Sequence, residues 1–437
     1  MPTKPYTPCD NGSMALRHED VAALLPFSGR KLGDLCRDNP NLLAFPGCLG
    51  ANGDEIDTTS LFELGGETLQ VGNTVGFWGV NGVHVHVHSR FDTADRQYFF
   101  HYMLQRVCGI NVLNLQTLPD PEENLWEFLM YLFPLALKRA MAQGVFRAYR
   151  TFAHDDNHLR GPISISTFLR KDMPFCGRIS YTTREHTPNN HVVQLVRHTI
   201  EFIRQRQSRL LVLDQETRQS VDMVVQLTPD YAVSQRNKVV AANLRPVRHP
   251  YYKVYTWLQS ICLRILRHER LAFGTDDDKI CGIVFDAAWL WEEYLAAVFA
   301  EHPWTRSFIH PQNKRGLKGI NLFVDRASRR FPDFYDPSRR LVLDAKYKRG
   351  EGGVAREDLY QVISYVHVLK SSCGVLLYPA EKTGSVHEGT LAGYGGEIRR
   401  VFLGIPNHVD GSFPAFAEDM RGSEDAFVNK LMNAFGS

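Results

Sequence analysis

The clearest pattern of apolar and polar positions is the alternation of valine and histidine from Val83 to His88. A strand with this pattern has one apolar face and one face of imidazoles. The Asn81-Gly82 pair just before it is a dipeptide favoured in tight turns between antiparallel strands. Residues 69–91 are therefore predicted to form strands that include a β-hairpin.

The histidine face of this hairpin has two interpretations. One is a metal site shared by His84, His86 and His88. Side chains two positions apart on a strand lie about 6 to 7 Å apart, which is wide for a single ligand sphere. The other is a face in contact with solvent or a partner, and the spacing favours it.

Helical spacing of apolar residues dominates the next part of the chain. It predicts helices at 95–107, 123–143, 191–206 and 252–267. A strand is predicted at 161–165, where Gly-Pro precedes Ile-Ser-Ile. The charged stretch 267–279 is typical of a surface loop, so a domain boundary is expected between 245 and 280.

The last third of the chain mixes helical and strand patterns. An apolar helix is predicted between Phe285 and Phe299. The elements expected after it are strands at 320–324, 331–335 and 341–347, a helix at 356–369 and a strand at 374–378. The predicted fold class is therefore mixed α/β (α+β), with an amino-terminal hairpin and helical region (1–250) and a carboxy-terminal domain (251–437).

Length, charge and cysteine usage set broad limits. A chain of 437 residues is too long for one hydrophobic core. The net charge of +2 means that any DNA-binding surface must be a local patch. The eight cysteines are scattered without a CxxC pair, which indicates reduced thiols rather than a zinc site.

No membrane segment or signal peptide is predicted. The most apolar long run, 125–142, contains Glu127, Pro134, Lys138 and Arg139, so it is typical of a buried helix. The first residues include no apolar stretch of the kind that directs secretion. A cytoplasmic location is expected.

Candidate chemistry lies in a Pro-Asp pair and an Asp-Ala-Lys tripeptide. Ten residues separate Asp333 from Asp344, and Lys346 follows two positions later on the same strand face. Two carboxylates on adjacent strands can converge on Mg²⁺, which prefers oxygen ligands. Such a site suits phosphodiester hydrolysis, because the ion activates water and polarises the phosphate, while the lysine positions the water or stabilises developing charge.

The alternative is an ordinary Asp-x-Lys on a solvated strand edge. The apolar run at 341–343 places Asp344 at the mouth of a buried strand instead. The order of elements around it favours the nuclease interpretation.

Residues 281–379 resemble the PD-(D/E)XK nuclease superfamily, whose restriction-endonuclease-like core has the order αβββαβ. The segments DAKYK and DLYQVISY resemble more closely the McrC family, the nuclease subunit of McrBC-type restriction systems. The segments HSRFDTADRQYFFHYMLQRVCGINV and RGPISI look like LlaJI-like members of the same group. The resemblance covers most of residues 70–380 and implies a magnesium-dependent nuclease, with Mn²⁺ as an alternative ion.

The resemblance adds further residues to the predicted site. Trp291-Glu292 matches the helix motif of the family, so Glu292 is expected to act with the aspartates, with Glu293 as its rival. Gln361 and Tyr365 share a helix face, and Gln361 would orient water or phosphate unless it only packs. The predicted catalytic residues are Asp333, Asp344, Lys346, Glu292 and Gln361, and the predicted metal ligands are Asp333, Asp344 and Glu292.

A partner is also implied by the resemblance. McrC-like subunits act with an McrB-like AAA+ GTPase, and this chain lacks the GxxxxGK[ST] motif, so the motor would act in trans. The amino-terminal region would dock onto it. The hairpin at 75–91 is one candidate contact, and Arg90 or another exposed arginine is a candidate for stimulating GTP hydrolysis. An ordinary hairpin is the alternative.

The leading hypothesis is a Mg²⁺-dependent DNA endonuclease subunit of a prokaryotic antiviral restriction system, activated by that GTPase. The alternatives are a stand-alone PD-(D/E)XK nuclease in repair and a catalytically silent DNA-binding scaffold. Basic residues that flank the predicted strands are candidates for phosphate binding: Arg329, Arg330, Arg339, Arg340, Lys348 and Arg349.

Overall fold

The computed structural model describes ten segments of the chain. They are residues 5–39, 42–47, 56–93, 96–108, 121–267, 279–311, 319–325, 328–393, 395–407 and 411–435. Within them the fold is mixed α/β, with twelve α-helices and several small sheets.

The helices and strands have the following bounds. The helices are α1 His18–Leu24, α2 Leu32–Asp38, α3 Tyr98–Cys108, α4 Pro121–Ala142, α5 Ile165–Lys171, α6 His191–Gln207, α7 Gln215–Leu227, α8 Arg236–Ala242, α9 Val254–Arg267, α10 Ala287–Glu301, α11 Arg356–Leu369 and α12 Phe413–Phe435. The strands are β1 Ser13–Ala15, β2 Leu42–Phe45, β3 Phe62–Gly65, β4 Thr68–Val71, β5 Thr74–Val80, β6 Val83–Val87, β7 Ala148–Asp156, β8 Ile179–Thr187, β9 Cys281–Asp286, β10 Ile320–Asn321, β11 Arg329–Arg330, β12 Phe334–Asp336, β13 Leu341–Ala345, β14 Cys373–Ala380, β15 Gly384–Thr390 and β16 Glu397–Gly404.

The predicted hairpin is present as β5 and β6. Asn81 and Gly82 form its turn with φ of 49° and 78°, the left-handed backbone that a tight hairpin turn requires. The three valines of β6 are buried, and the histidines alternate with them on the partly exposed face. The amino-terminal segment runs beside β6 through bridges at Val85 and His88.

This hairpin belongs to a four-stranded sheet in the order β2-β9-β5-β6. The inner strand β9 pairs in parallel with β2 and antiparallel with β5. The helix predicted from Phe285 begins at Ala287 instead, because residues 281–286 form β9, a strand that was not predicted. Gly282 fits the inner position because a Cβ there would come within 2.5 Å of the Trp78 Cα.

The chain forms two compact units, 1–122 with 271–437, and 123–270. The second unit ends at residue 270, and residues 1–122 belong with the carboxy-terminal part instead of forming one region with 123–250. The physical reason is β9, which is distant in sequence from its neighbours β2 and β5 but is hydrogen-bonded between them. Most of the charged stretch at 267–279, residues 268–278, lies outside the described residues.

The unit 123–270 contains α5 to α9 and a long hairpin of β7 and β8. Helix α6 starts where Asn190 accepts hydrogen bonds from the backbone N–H groups of Val192 and Val193. The predicted strand at 161–165 is wrong, because Ile163 forms only an isolated bridge and α5 begins at Ile165.

A five-stranded sheet, in the order β12-β13-β14-β16-β15, occupies the carboxy-terminal part. Strands β13, β14 and β16 are parallel, and β12 and β15 flank them antiparallel. Helix α11 packs on this sheet above Gly374, where a Cβ would lie 2.7 Å from Val366 and 2.8 Å from Val362. The absent side chain lets the helix approach closely.

The predicted elements around this sheet agree in part with the observed ones. Helix α11 has the predicted bounds. The strand predicted at 320–324 is shorter and pairs with β11 in a separate two-stranded ladder. Strand β12 begins at Phe334, and β13 ends at Ala345, so Asp333 and Lys346 flank strands rather than lying within them.

Among the helices in the described part of the chain, none combines the length and the apolar character needed to cross a membrane. The apolar run at 125–142 lies in α4.

Candidate active site

Asp344 and Lys346 meet at the end of β13. Asp344 is 1% exposed and pairs in register with Leu376 of β14. The Lys346 N–H continues the ladder by donating to the Leu377 carbonyl at 2.8 Å. Its ammonium nitrogen lies 2.5 Å from Asp344 Oδ2, so the two side chains face each other as their spacing predicted.

Asp333 joins them from the neighbouring strand. Strands β12 and β13 pair antiparallel with Phe334 opposite Leu343, so the register continued by one residue brings Asp333 opposite Asp344. Asp333 Oδ2 accepts a hydrogen bond of 2.6 Å from the backbone N–H of Ala345. Antiparallel pairing therefore brings together two aspartates that the sequence separates by ten residues.

Glu292 reaches the same site from α10. Burial raises the pKa of Glu292 well above its ordinary value, and the charges of Asp333, Glu293 and Asp344 raise it further. This carboxylate thus lies within the electric field of both aspartates. Glu293 lies beside it on the same helix, and its Oε1 is as far from the His310 ring, 3.6 Å, as Glu292 Oε1 is.

The carboxylates repel one another in a poorly solvated site. Burial, followed by the charge of Asp344, raises the pKa of Asp333 to about 7. Burial also raises the pKa of Asp344, against the opposing effect of Lys346. Burial would lower the pKa of Lys346, but the negative charge of Asp344, with that of Asp333 and Asp358, raises it. One ammonium is shared among several acidic groups, which favours binding of a further cation.

Gln361 contacts the ammonium of Lys346 directly. The Lys346 ammonium donates to Gln361 Oε1 at 3.0 Å, and Gln361 Nε2 donates to the Tyr365 hydroxyl at 3.1 Å. The glutamine therefore holds the lysine from the α11 side, and Tyr365 orients the glutamine.

His310 is a site residue that sequence reasoning missed. Its Nδ1 lies 2.7 Å from the backbone carbonyl of Asp333 and 3.6 Å from Glu292 Oε1. Its Nε2 lies 3.6 Å from Glu293 Oε1, and its ring stacks on Phe334 at 4.7 Å. It lies 23 positions before Asp333 and outside the motifs, so no sequence signal pointed to it.

Asp358 is a second residue that was missed. It lies in the first turn of α11, is buried, and forms an ion pair with Lys348. Its Oδ1 lies 3.9 Å from the Lys346 ammonium. Since Asp358 follows the active strand by more than ten residues, its proximity depends on the packing of α11 against β13.

Several basic residues that were candidates for phosphate binding have protein partners. Arg339 pairs with Asp336 and lies over the Trp304 ring, and Arg340 donates to the Lys370 carbonyl. The exposed pair Arg329 and Arg330 on β11 remains a candidate for contact with DNA.

Arg90 is not the exposed arginine that the sequence suggested. It forms an ion pair with the buried carboxylate of Asp10, and its side chain is only 19% exposed.

On strand β6, burial lowers the pKa of His86 to about 4, which fits a neutral imidazole packed on the protein.

The predicted site has the oxygen donors that a magnesium ion prefers, but its side chains are not already arranged around a common ion position. Glu292, Asp333 and Asp344 offer hard carboxylate oxygens and excess negative charge. Within the described residues, however, no group of three or more His, Cys, Asp or Glu side chains is arranged to hold a metal ion. This includes the histidine face of β6. The Lys346 ammonium contacts the Asp344 carboxylate, so a bound cation would compete with it for that carboxylate.

Comparison with known proteins identifies the family. A family model described as "McrBC 5-methylcytosine restriction system component" matches residues 69–379, well over half of the chain. The chain belongs to this McrBC family. The match begins just before the β5–β6 hairpin and ends in β14, so it spans all five predicted site residues. No curated protein matches the chain significantly.

Solved structures give a similar fold. A chain of the Thermococcus gammatolerans assembly of McrB AAA+ hexamers with bound McrC matches with a TM-score of 0.52 and 15% identity, covering 99% of this chain and 100% of that one. A chain of the cryo-EM structure of the Thermococcus gammatolerans McrBC complex matches at 15% identity with a TM-score of only 0.32, covering 68% and 88%. The first match shows a shared fold, and the second is too weak to add to it.

Proposed function

We propose that this McrBC-family chain is a magnesium-dependent DNA endonuclease subunit that works with a GTP-hydrolysing AAA+ partner. The observation that carries the proposal is the convergence of Asp333, Asp344 and Lys346 at the end of β13, with Glu292 near enough to both aspartates for their charges to act on it. A PD-(D/E)XK core accounts for this placement, since its Pro-Asp and Asp-x-Lys segments lie on adjacent strands.

The chain's own residues have distinct roles in the proposed reaction. Asp333, Asp344 and Glu292 would hold the ion, and Lys346 would then leave Asp344 Oδ2 and face the scissile phosphate. When bound, the ion would neutralise phosphate charge and lower the pKa of the attacking water. Gln361 holds the lysine chain on the α11 side throughout, because its Oε1 already accepts from the ammonium.

A DNA phosphate would also need charge neutralisation beyond the ion. When all three carboxyl groups are ionised, their charge exceeds that of the one lysine, so DNA and metal binding should reinforce each other. The exposed Arg329 and Arg330 lie on β11, four to three positions before Asp333, and would contact the backbone there.

The partner proposal rests on the family and on the exposed apolar surface of the unit 123–270. The segment between β7 and β8, together with α5, exposes large apolar side chains that are 46% to 68% accessible. They are Leu159, Ile163, Ile165, Leu169, Met173 and Phe175. Apolar surface of this kind marks a protein contact, and the AAA+ hexamers in the similar assembly make such a motor the proposed partner.

The deciding experiment is a plasmid cleavage assay. Methylated and unmethylated plasmid are incubated with the chain and Mg²⁺, with and without GTP and an McrB-like AAA+ protein from the same organism. Lys346→Ala serves as the inactive control. Cleavage that requires both GTP and partner supports the proposal. Cleavage by the chain alone favours a stand-alone nuclease, and no cleavage under any condition favours a silent DNA-binding scaffold.

A further inference from the structure

The segment that follows β6 contacts the end of β13 directly and is linked to α10 through Asn73. Ser89 is fully buried, and its hydroxyl lies 2.6 Å from the hydroxyl of Tyr347, the residue after Lys346. The Arg90 guanidinium lies over the Tyr347 ring at 5.3 Å. The end of the lysine-bearing strand is thus held by residues more than 250 positions earlier in the chain.

Arg90 also connects to the helix that carries Glu292. Its Nη2 donates to Asn73 Oδ1 at 3.0 Å, and Asn73 Nδ2 donates to Asp286 Oδ1 at 3.4 Å. Asp286 is the N-cap of α10, because its Oδ1 accepts from the backbone N–H groups of Ala288 and Trp289. The Asn73 carbonyl accepts from the Ala287 N–H as well.

Asp10 fixes the arginine in this position. Its Oδ1 accepts from the Arg90 backbone N–H at 2.5 Å, and its Oδ2 accepts from Nε at 2.7 Å. The Asp10 side chain is fully buried, so the pair is held in one geometry rather than fluctuating as a surface ion pair would. A planar guanidinium with five donors can make these contacts at once, which a lysine cannot.

We propose that Asp10, Asn73, Ser89, Arg90 and Tyr347 form a positioning brace, which holds the Lys346 strand and the Glu292 helix in fixed relation. The purpose of the brace rests on the proposed nuclease function, whereas the test of its structure does not depend on that function. Its arginine is a positioning residue of the nuclease and not the group that stimulates a GTPase. The amino-terminal segment is accordingly an obligatory part of the nuclease centre.

Hydrogen exchange on the full chain tests the brace without requiring activity. Arg90→Met is expected to raise amide exchange about tenfold or more in both 286–293 and 344–349. Asn73→Leu should raise it in 286–293 alone, and Tyr347→Phe in 344–349 alone, because each variant removes one connection. Arg30→Met, in the exposed pair with Asp38, is the matched control and should change neither segment.

Partial rescue separates positioning from general destabilisation. Arg90→Lys keeps the charge but not the planar contacts, so it should recover only part of the protection. If Arg90→Met fails to fold, the double variant Asp10→Asn/Arg90→Met removes the buried unpaired carboxylate and is measured instead. Exchange that rises only near residues 6–10 and 88–92 in these variants would overturn the brace.

The kinetics of DNA cleavage provide a second test of the brace. Arg90→Met should lower kcat for DNA cleavage by about 10- to 100-fold with KM within about twofold, because misplacement of catalytic groups affects the reacting complex. GTPase stimulation of the partner should stay at the wild-type level. If Arg90→Met loses stimulation of the partner GTPase while its amide exchange stays at the wild-type level, the proposal is overturned. If wild type and Lys346→Ala are equally inactive, the nuclease function itself fails, and the exchange pattern still decides the brace.

Discussion

The Lys346 ammonium donates to Gln361 Oε1 at 3.0 Å while it lies 2.5 Å from Asp344 Oδ2, so one lysine is held between a strand carboxylate and a helix amide. This predicts that Gln361 controls where the ammonium lies. Gln361→Ala should lower kcat about tenfold, and Gln361→Glu should restore the lysine contact but add negative charge. Single-turnover plasmid cleavage measures both, with Tyr365→Phe as the milder control. Full activity of Gln361→Ala would assign this residue to packing.

Lys346→Ala is expected to reduce cleavage by at least about a hundredfold. It should also cost stability near pH 8, because it leaves the 1% exposed carboxylate of Asp344 without its ammonium. The cost should shrink near pH 5, where Asp344, whose pKa is already raised by burial, takes up a proton more readily. Thermal melts at the two pH values measure the difference. An equal cost at both would contradict a charged pair.

The two glutamates of α10 should behave differently. Glu292→Gln removes a carboxylate on which the charges of Asp333 and Asp344 act, so it should weaken cation binding about tenfold and lower cleavage with it. Glu293→Gln should stay within about twofold of wild type and is the matched control. Terbium luminescence titration reports binding without DNA. The reverse order of the two variants would move the site to Glu293.

The free protein should lose stability as pH rises from about 4 to about 7, through the contribution of Asp333. Its pKa is raised in the fold to about 7, so the folded state binds a proton over this range that the unfolded state has released. Asp333→Asn should flatten this dependence and raise the melting temperature at pH 8 by a few degrees. Added Mg²⁺ should stabilise wild type and not the variant. Calorimetry across pH tests both statements, and an unchanged pH profile in Asp333→Asn would refute them.

Leu169→Asp should weaken binding to the proposed AAA+ partner, because it introduces a charge into the exposed apolar surface of α5. Cation binding at the nuclease centre should be unchanged. The expected loss in partner affinity is at least about tenfold, measured by analytical ultracentrifugation with GTP present. Val233→Asp, at an exposed apolar position outside this surface, is the control. Equal binding by both variants would place the contact elsewhere.

Local patterns were sufficient for the elements whose apolar spacing is regular. The β5–β6 hairpin followed from valine alternation and the Asn-Gly turn, and α11 has the bounds that its apolar spacing predicted. Local patterns missed strand β9 at 281–286 and wrongly predicted a strand at 161–165. At 281–286 an apolar strand leads directly into an apolar helix, so the period of apolar residues does not visibly change between them. At 161–165 the Ile-Ser-Ile alternation is also compatible with the start of an exposed helix.

By itself the sequence determined that Asp344 and Lys346 share a face, because alternate residues of an extended chain point the same way whatever surrounds them. It also indicated the family, which the match over residues 69–379 shows. Only the tertiary structure decided that His310 and Asp358 lie at the site, that the charges of both aspartates act on Glu292, and that Arg90 faces inward. These relationships join residues far apart in the chain, and sheet register and helix packing, which local patterns do not encode, bring them together.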